Sequence, residues 1–355
     1  MSSPPSEAES PGANNPQQRV TLRGIAKAMG ISHVTVSLAL RNHPRISEPQ
    51  KKRIREKAQE LGYVPDPMLS ALAHYRHSRI DKPVQAALAW PNTWPNPADL
   101  RNYHEFDHYW LGAARAAEKF GYHLEEFIVN EQMTPHRLEK VLLTRNIRGI
   151  LMPPQRGICD WTAFNWNEFS VVRFGRGSGD IPQFHMVTSA QAANAALALE
   201  KIREKGYERI GFVLQNTKSW TYIGGILQAE SIDSPEEQRL PAFLYESSES
   251  PDMEGFQSWL NRWKPDAILT DNRKIRRWLK ETRYASRRKI GLAGLNILDM
   301  EVDAGIYQNP EEIGRVGVLV LVSLINDHDR GVPPIHREIL VKGDWVDGAS
   351  LPPKR

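Results

Sequence analysis

Residues 20–67 read VTLRGIAKAMGISHVTVSLALRNHPRISEPQKKRIREKAQELGYVPDP. The first part of this stretch has apolar residues at the three- and four-residue spacing of one helix face, namely Leu22, Ile25, Ala26 and Met29. Gly30 ends this helix, and Ser32 begins a second one as its N-cap. The run Ser47-Glu48-Pro49-Gln50 has the form of a capping box that opens a third helix, which ends at Gly62. Three short helices with a glycine turn between the first two are typical of a helix-turn-helix domain.

Positive charge is concentrated in the same part of the chain. The formal net charge is only +4, yet residues 1–83 contain 13 Lys and Arg against 7 Asp and Glu, whereas the remainder contains 33 against 35. A basic N-terminal quarter on a near-neutral body indicates a module that binds a polyanion. Charge alone leaves open the alternative of a solvated basic surface.

The first 18 residues, MSSPPSEAESPGANNPQQ, hold no apolar stretch. They cannot bury enough apolar surface to become ordered, so we expect a disordered tail at residues 1–18 and no secretory signal. The chain has one cysteine, Cys159, and no apolar run near the roughly 20 residues that span a bilayer. These features predict a cytoplasmic protein without disulfides or membrane segments.

From residue 84 onward, apolar runs alternate with helical patterns. VQAALAW (84–90), IRGILMPP (147–154) and DAILTD (266–271) are typical of buried strands, and amphipathic segments such as residues 103–122 lie between them. Strand–helix alternation of this kind favours parallel sheets covered on both faces. We expect two doubly wound sheets of five or six strands rather than one very wide sheet.

Two stretches of the chain resemble one known family. Residues 20–67 resemble the N-terminal headpiece of the lactose/galactose repressor (LacI/GalR) family of bacterial transcription regulators, with its Thr-Leu, Ile-Ala, Gly-Ile-Ser, Thr-Val-Ser and Leu-Gly-Tyr-x-Pro elements. Residues 305–351, GIYQNPEEIGRVGVLVLVSLINDHDRGVPPIHREILVKGDWVDGASL, are similar to that family's closing segment. The resemblance covers residues 19 to about 350.

The resemblance implies an all-α headpiece joined to an α/β core like a periplasmic sugar-binding protein. The headpiece is expected at residues 19–64, a hinge helix with its linker at 65–82, and the core at 83–350. An effector would bind between the two doubly wound lobes of the core, at the carboxyl ends of the strands. The expected lobe boundaries are about 83–183 and 308–333 for the N-lobe, and about 186–305 and 334–347 for the C-lobe.

The resemblance also implies which residues contact DNA. His33 and Val34 hold positions that read base edges in the major groove: His33 through a guanine or a phosphate, Val34 through a thymine methyl group. Leu38 stands where relatives often have an arginine, and Arg45 is a candidate to replace that contact. The contacts expected to reach phosphates or fix the register are Thr21, Leu22, Ser32, Thr35, Ser37, Ser47 and Tyr63. Helix capping is expected at Ser32 and Ser47 as well.

Residues 68–73 resemble the family's hinge helix, which folds when two copies meet in the minor groove. Asp66 would cap it, with Pro67 at its first position. Leu72 holds the position of the leucine that acts as a wedge between base steps, and Leu69 would face its symmetry mate. A linker helix packed on the core is the alternative.

The effector cleft is expected to be lined by Trp90, Asn92, Trp94, Tyr222, Asp271 and Asn296. Many sugar-responsive relatives have an arginine at the Tyr222 position and an aspartate at the Asn296 position. Without them, the bidentate clamp and one carboxylate that hold sugar hydroxyls are missing. A different carbohydrate stacked on Trp90 or Trp94, no ligand at all, and tryptophans that merely pack the lobes all remain open.

Two motifs of catalytic sites, GxxxxGK[ST] and GxSxG, do not occur in the sequence. His104 and His108 share a helix face but have no evident third ligand, so neither a metal nor a cofactor is expected. We therefore predict a homodimeric transcription regulator, a repressor as in most of the family, on a near-palindromic operator, and not an enzyme. The alternative is a cytoplasmic solute-binding or sugar-active enzyme-like protein with the same core.

Overall fold

The computed structural model describes residues 21–40, 46–61, 86–156, 159–175, 181–216, 220–233, 235–247, 252–282, 284 and 289–354. The chain divides into two compact units, residues 1–80 and 81–355. Several sequence predictions fall outside the described residues: the tail at 1–18, the hinge and linker at 65–82, and the contacts at Arg45, Tyr63, Leu69 and Leu72.

The first unit contains three helices: α1 (Leu22–Met29), α2 (His33–Leu40) and α3 (Glu48–Glu60). The hydroxyl of Thr21 caps α1 by accepting a hydrogen bond from the Gly24 N–H at 3.1 Å. Gly30 ends α1 in the left-handed conformation, with φ +65°. One apolar side chain from each helix is fully buried where the helices meet, namely Ile25, Val36 and Ile54. The predicted three-helix domain is therefore confirmed.

The start of α3 differs from the prediction. Ser47 occupies the N-cap position, but its side chain makes no capping hydrogen bond, so the predicted capping box is wrong. Pro49 lies in the first turn, where its missing N–H leaves one fewer free donor. Glu48 places a carboxylate at the positive end of the helix dipole and pairs with Lys51 at 2.6 Å. Proline and an acidic residue thus begin this helix without the serine hydroxyl.

The second unit contains two six-stranded sheets. The first has the order β11–β5–β4–β3–β1–β2, and its strands are all parallel. Strands β3, β4 and β5 are buried on both faces. The sequence of β3 accordingly reads as a continuous apolar run, whereas β4 and β5 also bury polar residues. The strands are β1 (Ala86–Asn92), β2 (Tyr122–Ile128), β3 (Gly149–Met152), β4 (Ser170–Phe174), β5 (His185–Ser189) and β11 (Glu338–Val341).

The second sheet has the order β12–β10–β9–β8–β6–β7. Its strands are parallel except for β12, which pairs antiparallel with β10. The prediction of two doubly wound sheets is confirmed. The strands are β6 (Ile210–Gln215), β7 (Phe243–Tyr245), β8 (Ala267–Thr270), β9 (Gly291–Gly294), β10 (Gly305–Tyr307) and β12 (Asp344–Val346).

Helices cover both faces of each sheet. Their bounds are α4 (Ala98–Asn102), α5 (His104–Lys119), α6 (Pro135–Thr144), α7 (Gln191–Glu204), α8 (Trp220–Asp233), α9 (Met253–Trp263), α10 (Ile275–Lys280) and α11 (Pro310–Asp327). Helices α5 and α11 pack on one face of the first sheet and α6 on the other. Helices α7 and α8 pack opposite α9 and α10 on the second. None of the helices in the described part of the chain has the length and hydrophobicity of a membrane span.

The sheets define two lobes whose boundaries differ from the prediction. Residues 186–305 and 334–347 were expected in the C-lobe, but β5 and β11 pair with each other and β5 with β4, so both strands belong to the N-lobe. Over the described residues the chain therefore crosses between the lobes after β5, after β10 and after β11. Met186 faces Glu338, a pairing between residues far apart in the chain that local patterns do not report.

Helices α5 and α11 approach each other closely through two glycines. A Cβ atom at Gly112 would lie 1.9 Å from the carbonyl oxygen of Glu311, and one at Gly314 would lie 2.0 Å from that of Tyr109. Only glycine permits this backbone separation. The contact fixes α5, whose first turn reaches into the space between the lobes.

Candidate nucleic-acid interface and interlobe site

The N-terminal end of α2 presents two side chains to solvent. His33 is exposed, and 53% of the Val34 side-chain surface is accessible, although Val36 and Ala39 on the same helix are buried. A large apolar side chain is therefore left in water beside an imidazole. In a major groove, a valine can contact a thymine methyl group and an imidazole can hydrogen-bond to a base or phosphate.

Hydroxyl groups border this exposed end. Ser32 Oγ accepts a hydrogen bond from the Thr35 N–H at 3.0 Å and lies 2.9 Å from Thr35 Oγ1, so Ser32 caps α2 as predicted. Thr21 and Ser47 are exposed at the starts of α1 and α3, and Leu22 packs partly against the headpiece core. Helix N-termini with short polar side chains suit phosphate oxygens. The predicted contact at Ser37 depends on a side chain outside the described part of the chain.

In the second unit, the N-lobe residues predicted for the effector are packed inside the lobe. Trp90 is fully buried against Trp110 and Phe174, with ring centroids 5.4 and 5.5 Å away. Trp94 is 4% exposed, and its indole N–H donates to the carbonyl oxygen of Pro154 at 2.8 Å. Both tryptophans therefore serve the packing of the lobe.

Asn92 shapes the loop that follows β1. Its side-chain amide donates to the carbonyl oxygen of Pro97 at 2.9 Å and to Glu126 Oε1 at 2.8 Å. Its Oδ1 accepts the N–H of Trp94 at 3.0 Å. With both polar groups engaged, the buried Asn92 side chain holds the loop in shape.

Of the predicted C-lobe residues, Tyr222 lies in the first turn of α8, and Asp271 and Asn296 follow the ends of β8 and β9. Tyr222 of α8 is buried, and its hydroxyl accepts a hydrogen bond from Gln308 Nε2 at 2.6 Å. Asp271 follows β8 and accepts hydrogen bonds from the Gln215 N–H and from the Tyr245 hydroxyl, which is 3.0 Å from Oδ1. Burial, together with the nearby carboxylates, raises the pKa of both tyrosines well above its usual range, so the phenols stay neutral donors.

Glu105 is a functional candidate that the sequence reasoning missed. It lies in the first turn of α5, and its carboxyl accepts hydrogen bonds from the Tyr109 hydroxyl and from Asn296 Nδ2, both at 2.8 Å. Desolvation raises the pKa of Glu105, and both Tyr109 and Tyr222 are close enough to feel its charge. An acidic residue in a first helical turn also complements the helix dipole, so the sequence holds no separate signal for this role.

Glu105 of the N-lobe contacts one of the predicted C-lobe residues, Asn296, and its charge acts on a second, Tyr222. Asp271 in turn lies close to Tyr222. Asn296 thus has a carboxyl group from the opposite lobe beside it. The interlobe site has carboxyl groups and a cluster of aromatic side chains made by Tyr103, Phe106 and Tyr109.

Two buried donors in this region have no hydrogen-bond partner among the described residues: Trp90 Nε1 and Asn272 Nδ2. Asn272 follows β8 directly after Asp271, and its Oδ1 accepts from the Lys274 N–H at 2.8 Å. A buried amide without a partner costs free energy, so such groups mark positions where a ligand or water supplies an acceptor.

The ring of Tyr103 meets arginines from both lobes. The guanidinium carbon of Arg156, from the N-lobe, lies 4.9 Å from the ring centroid, and that of Arg273, from the C-lobe, lies 4.3 Å away. Arg156 also lies 4.4 Å from the Trp94 ring. Both distances are those of cation–π contacts.

Within the described residues, no group of three or more His, Cys, Asp or Glu side chains could hold a metal ion. His108 Nδ1 lies 2.6 Å from the carbonyl oxygen of His104, so one ring nitrogen is engaged within the helix. Burial raises the pKa of the Cys159 thiol, which disfavours the nucleophilic thiolate.

Comparison with known proteins places the first unit in a family. Residues 21–66 match the family model described as "Bacterial regulatory proteins, lacI family". The protein described as "Probable HTH-type transcriptional repressor ExuR" from Bacillus subtilis (strain 168) is 48% identical over 54 residues, which are 15% of this chain and 16% of that relative. The chain therefore matches about one sixth of the length of this relative.

Solved structures extend the likeness to the two lobes. The "transcriptional regulator CelR-cellobiose complex" superimposes with a TM-score of 0.51 at 16% identity, covering 93% of this chain and 99% of that one. A putative transcriptional regulator of the LacI family from Rhizobium etli gives a TM-score of 0.56 at 14% identity, covering 76% of this chain and 99% of that one. At such identities the likeness shows the fold.

The chain thus has a helix-turn-helix domain followed by two doubly wound lobes, the fold of these solved structures. Its first unit matches the lacI family of bacterial regulatory proteins.

Proposed function

We propose that the protein is a transcription repressor that binds a near-palindromic operator as a homodimer. The observation that carries this proposal is the exposed pair His33 and Val34 at the start of α2 in a LacI-family domain. Contact with a thymine methyl group would bury the exposed side chain of Val34 and stabilise the complex. The relative ExuR is described as a probable repressor.

Positive charge supports binding to the DNA backbone. On α3, Lys52, Arg53 and Arg55 are exposed, and the excess of basic residues lies in the first quarter of the chain. Each cation that neutralises a phosphate releases a counterion, so affinity should fall steeply with salt. A two-fold symmetric dimer would present two such headpieces to adjacent half-sites, and Leu72 would enter the minor groove between them. The protein would then act in the cytoplasm, on the nucleoid.

A selection experiment on random operators tests the assignment of base contacts. Exchanging His33 and Val34 should change the preferred half-site at the bases they face, with a discrimination of about 1–3 kcal/mol per contact. The matched control is Gln132→Ala, which changes an exposed residue of the N-lobe and leaves the headpiece intact. An unchanged half-site preference in the exchanged variant would overturn the assignment of base contacts.

The interlobe site supports control by an uncharged, hydroxyl-rich ligand. Glu105 and Asp271 are acceptors for hydroxyl donors, and Asn272 Nδ2 is a free donor for an oxygen. The carboxyl groups of Glu105, Asp271 and Asp299 outnumber the guanidinium groups of Arg156 and Arg273, which disfavours an anion. Aromatic rings such as Tyr103 and Phe106 suit the apolar face of a sugar ring. The structural neighbour CelR is a complex with cellobiose.

Thermal unfolding with a panel of compounds tests this ligand class. Neutral mono- and disaccharides at millimolar concentration should include one that raises the midpoint of the core transition by mass action, whereas the corresponding sugar acids should not. Glu105→Gln should reduce the shift, because a neutral amide is a weaker acceptor than a carboxylate. Stabilisation by a sugar acid alone would contradict the proposal, and release of cleaved product would reveal an enzyme.

A further inference from the structure

The first turn of α5 in the N-lobe and the loop after β9 in the C-lobe are joined by a cluster of hydrogen bonds. Asp299 accepts from the backbone N–H of His104 at 3.1 Å and of Glu105 at 3.4 Å, and its Oδ1 lies 2.5 Å from His104 Nδ1. Asn296, three residues earlier, donates to Glu105 Oε2 at 2.8 Å. We call residues 104–105 together with 296–299 the interlobe latch.

Helix α5 depends on this contact for its N-terminal cap. Its own N-cap residue is Tyr103, whose side chain makes no capping hydrogen bond. The first N–H groups of a helix have no partner within the helix, and a carboxylate is the group that best satisfies them and complements the dipole. For α5 that carboxylate belongs to Asp299, on the opposite lobe. Separation of the lobes would therefore leave the start of α5 uncapped.

The conformation of Asp299 indicates that this contact is built into the fold. Its backbone is left-handed, with φ +61°, a region that aspartate adopts more readily than most residues other than glycine. Its carboxylate is only 9% exposed, and Arg273 Nη2 lies 3.7 Å from Oδ2. A nearly buried carboxylate is thus placed against the terminus of a helix from the other lobe.

We propose that the interlobe latch holds the two lobes closed in the protein without any ligand, so that the cleft opens only when Asp299 and Asn296 release α5. The latch acts as an internal substitute for a bound ligand, since it gives Glu105 a donor from the opposite lobe. It requires neither an operator nor an effector, and it is therefore separate from the proposed function.

Distances between two spin labels measure this closure in the full chain. Glu131 and Glu246 are exposed and follow β2 and β7, the edge strands at the ends of their sheets, so labels there report lobe opening. Cys159, the one native cysteine, is replaced by serine. Labelled chains are diluted with unlabelled chains, so that distances within one chain dominate.

Asp299→Gly is the diagnostic variant, because glycine adopts the same positive φ without strain and only the carboxylate is lost. The label distances should be narrow in the unsubstituted latch and shift to longer, broader values in Asp299→Gly. Hydrogen exchange at the His104 and Glu105 amides should accelerate about fivefold, the usual effect of losing a helix cap. Asn146→Gly is the matched control, since Asn146 is exposed, has φ +55° and lies outside the latch.

A second variant tests the other contact of the interlobe latch, between Asn296 and Glu105. Asn296→Asp replaces the donor to Glu105 by a carboxylate of the same size, so repulsion should also open the lobes. If Asp299→Gly fails to fold, the distances in Asn296→Asp decide alone. Unchanged distances in the folded variants would overturn the latch, and so would an equal shift in Asn146→Gly.

Discussion

Gly314 of α11 is the position where one added carbon atom should most directly disturb the support of the interlobe site. Its Cα faces the backbone of α5, and a Cβ there would lie 2.0 Å from the carbonyl oxygen of Tyr109 and 2.9 Å from the Ala113 nitrogen. Cβ contacts below 3.0 Å are essentially never found in proteins, so Gly314→Ala must push the two helices apart by about 1 Å. That shift would move the turn that carries Glu105.

The expected change in the free energy of unfolding combines two opposed effects. Replacing glycine by alanine inside a helix normally stabilises it by about 1 kcal/mol. Overpacking against backbone atoms that cannot rotate away costs about 1–3 kcal/mol, and occasionally more. Because the close contacts of Gly314 are to backbone, we expect a net loss of up to about 2 kcal/mol in Gly314→Ala.

Urea unfolding followed by tryptophan fluorescence measures this loss. All 10 tryptophans lie between positions 90 and 345, so the signal reports the two-lobed core and not the headpiece. Gly224→Ala is the matched control: Gly224 lies in α8, is exposed, and a Cβ there would meet no atom within 4 Å. The control should gain up to about 1 kcal/mol. Equal stabilisation by the two substitutions would refute the argument from close helix approach.

Three further predictions concern other parts of the chain. Thr21→Ala removes the cap of α1 and should lower headpiece stability by about 1 kcal/mol, seen as a lower midpoint of its own circular dichroism transition, whereas Thr21→Ser should retain it. Burial lowers the pKa of His185, whose Nδ1 accepts the Arg337 N–H. Unfolding free energy should therefore fall as pH drops below about 6.5, where the unfolded chain binds the proton first, and a pH-independent profile between 7 and 5 would contradict this. Leu72→Ala should weaken operator binding in a titration without changing core stability. Equal affinity of the variant and the unsubstituted protein would refute the role of Leu72 as a wedge between base steps.

The sequence predicts the headpiece well because its signals are local. The Thr21 and Ser32 hydroxyls, the Gly30 stop and the apolar spacing each act within one or two helical turns. Ser47 shows the limit of such reasoning. Ser47 begins the sequence pattern of a capping box, but Glu48 and Pro49 already stabilise the first turn of α3, and the Ser47 hydroxyl makes no hydrogen bond to this helix.

The sequence predicts the fold class of the core but not which strands pair in each sheet. Alternating strands and helices indicate two parallel sheets, yet β5 and β11 join the N-lobe through a pairing between distant residues. The residues of the interlobe site are also far apart in the sequence, so local patterns do not indicate it. No local pattern around Glu105 indicates its contact with Asn296. The positions of Trp90 and Trp94 near the end of a strand are typical of residues that line a ligand site, but both side chains are buried in the packing of the N-lobe.

The three crossings between the lobes have a consequence for biosynthesis. The N-lobe sheet begins at β1 but is completed only by β11, so its last strand leaves the ribosome after almost the whole C-lobe. At about 5–20 residues per second, the partly built sheet waits for roughly 7–30 s with the edge of β5 unpaired. The headpiece, by contrast, needs nothing beyond its own three helices. During translation the nascent chain therefore carries a finished headpiece while its core is still open to chaperones and to mispairing.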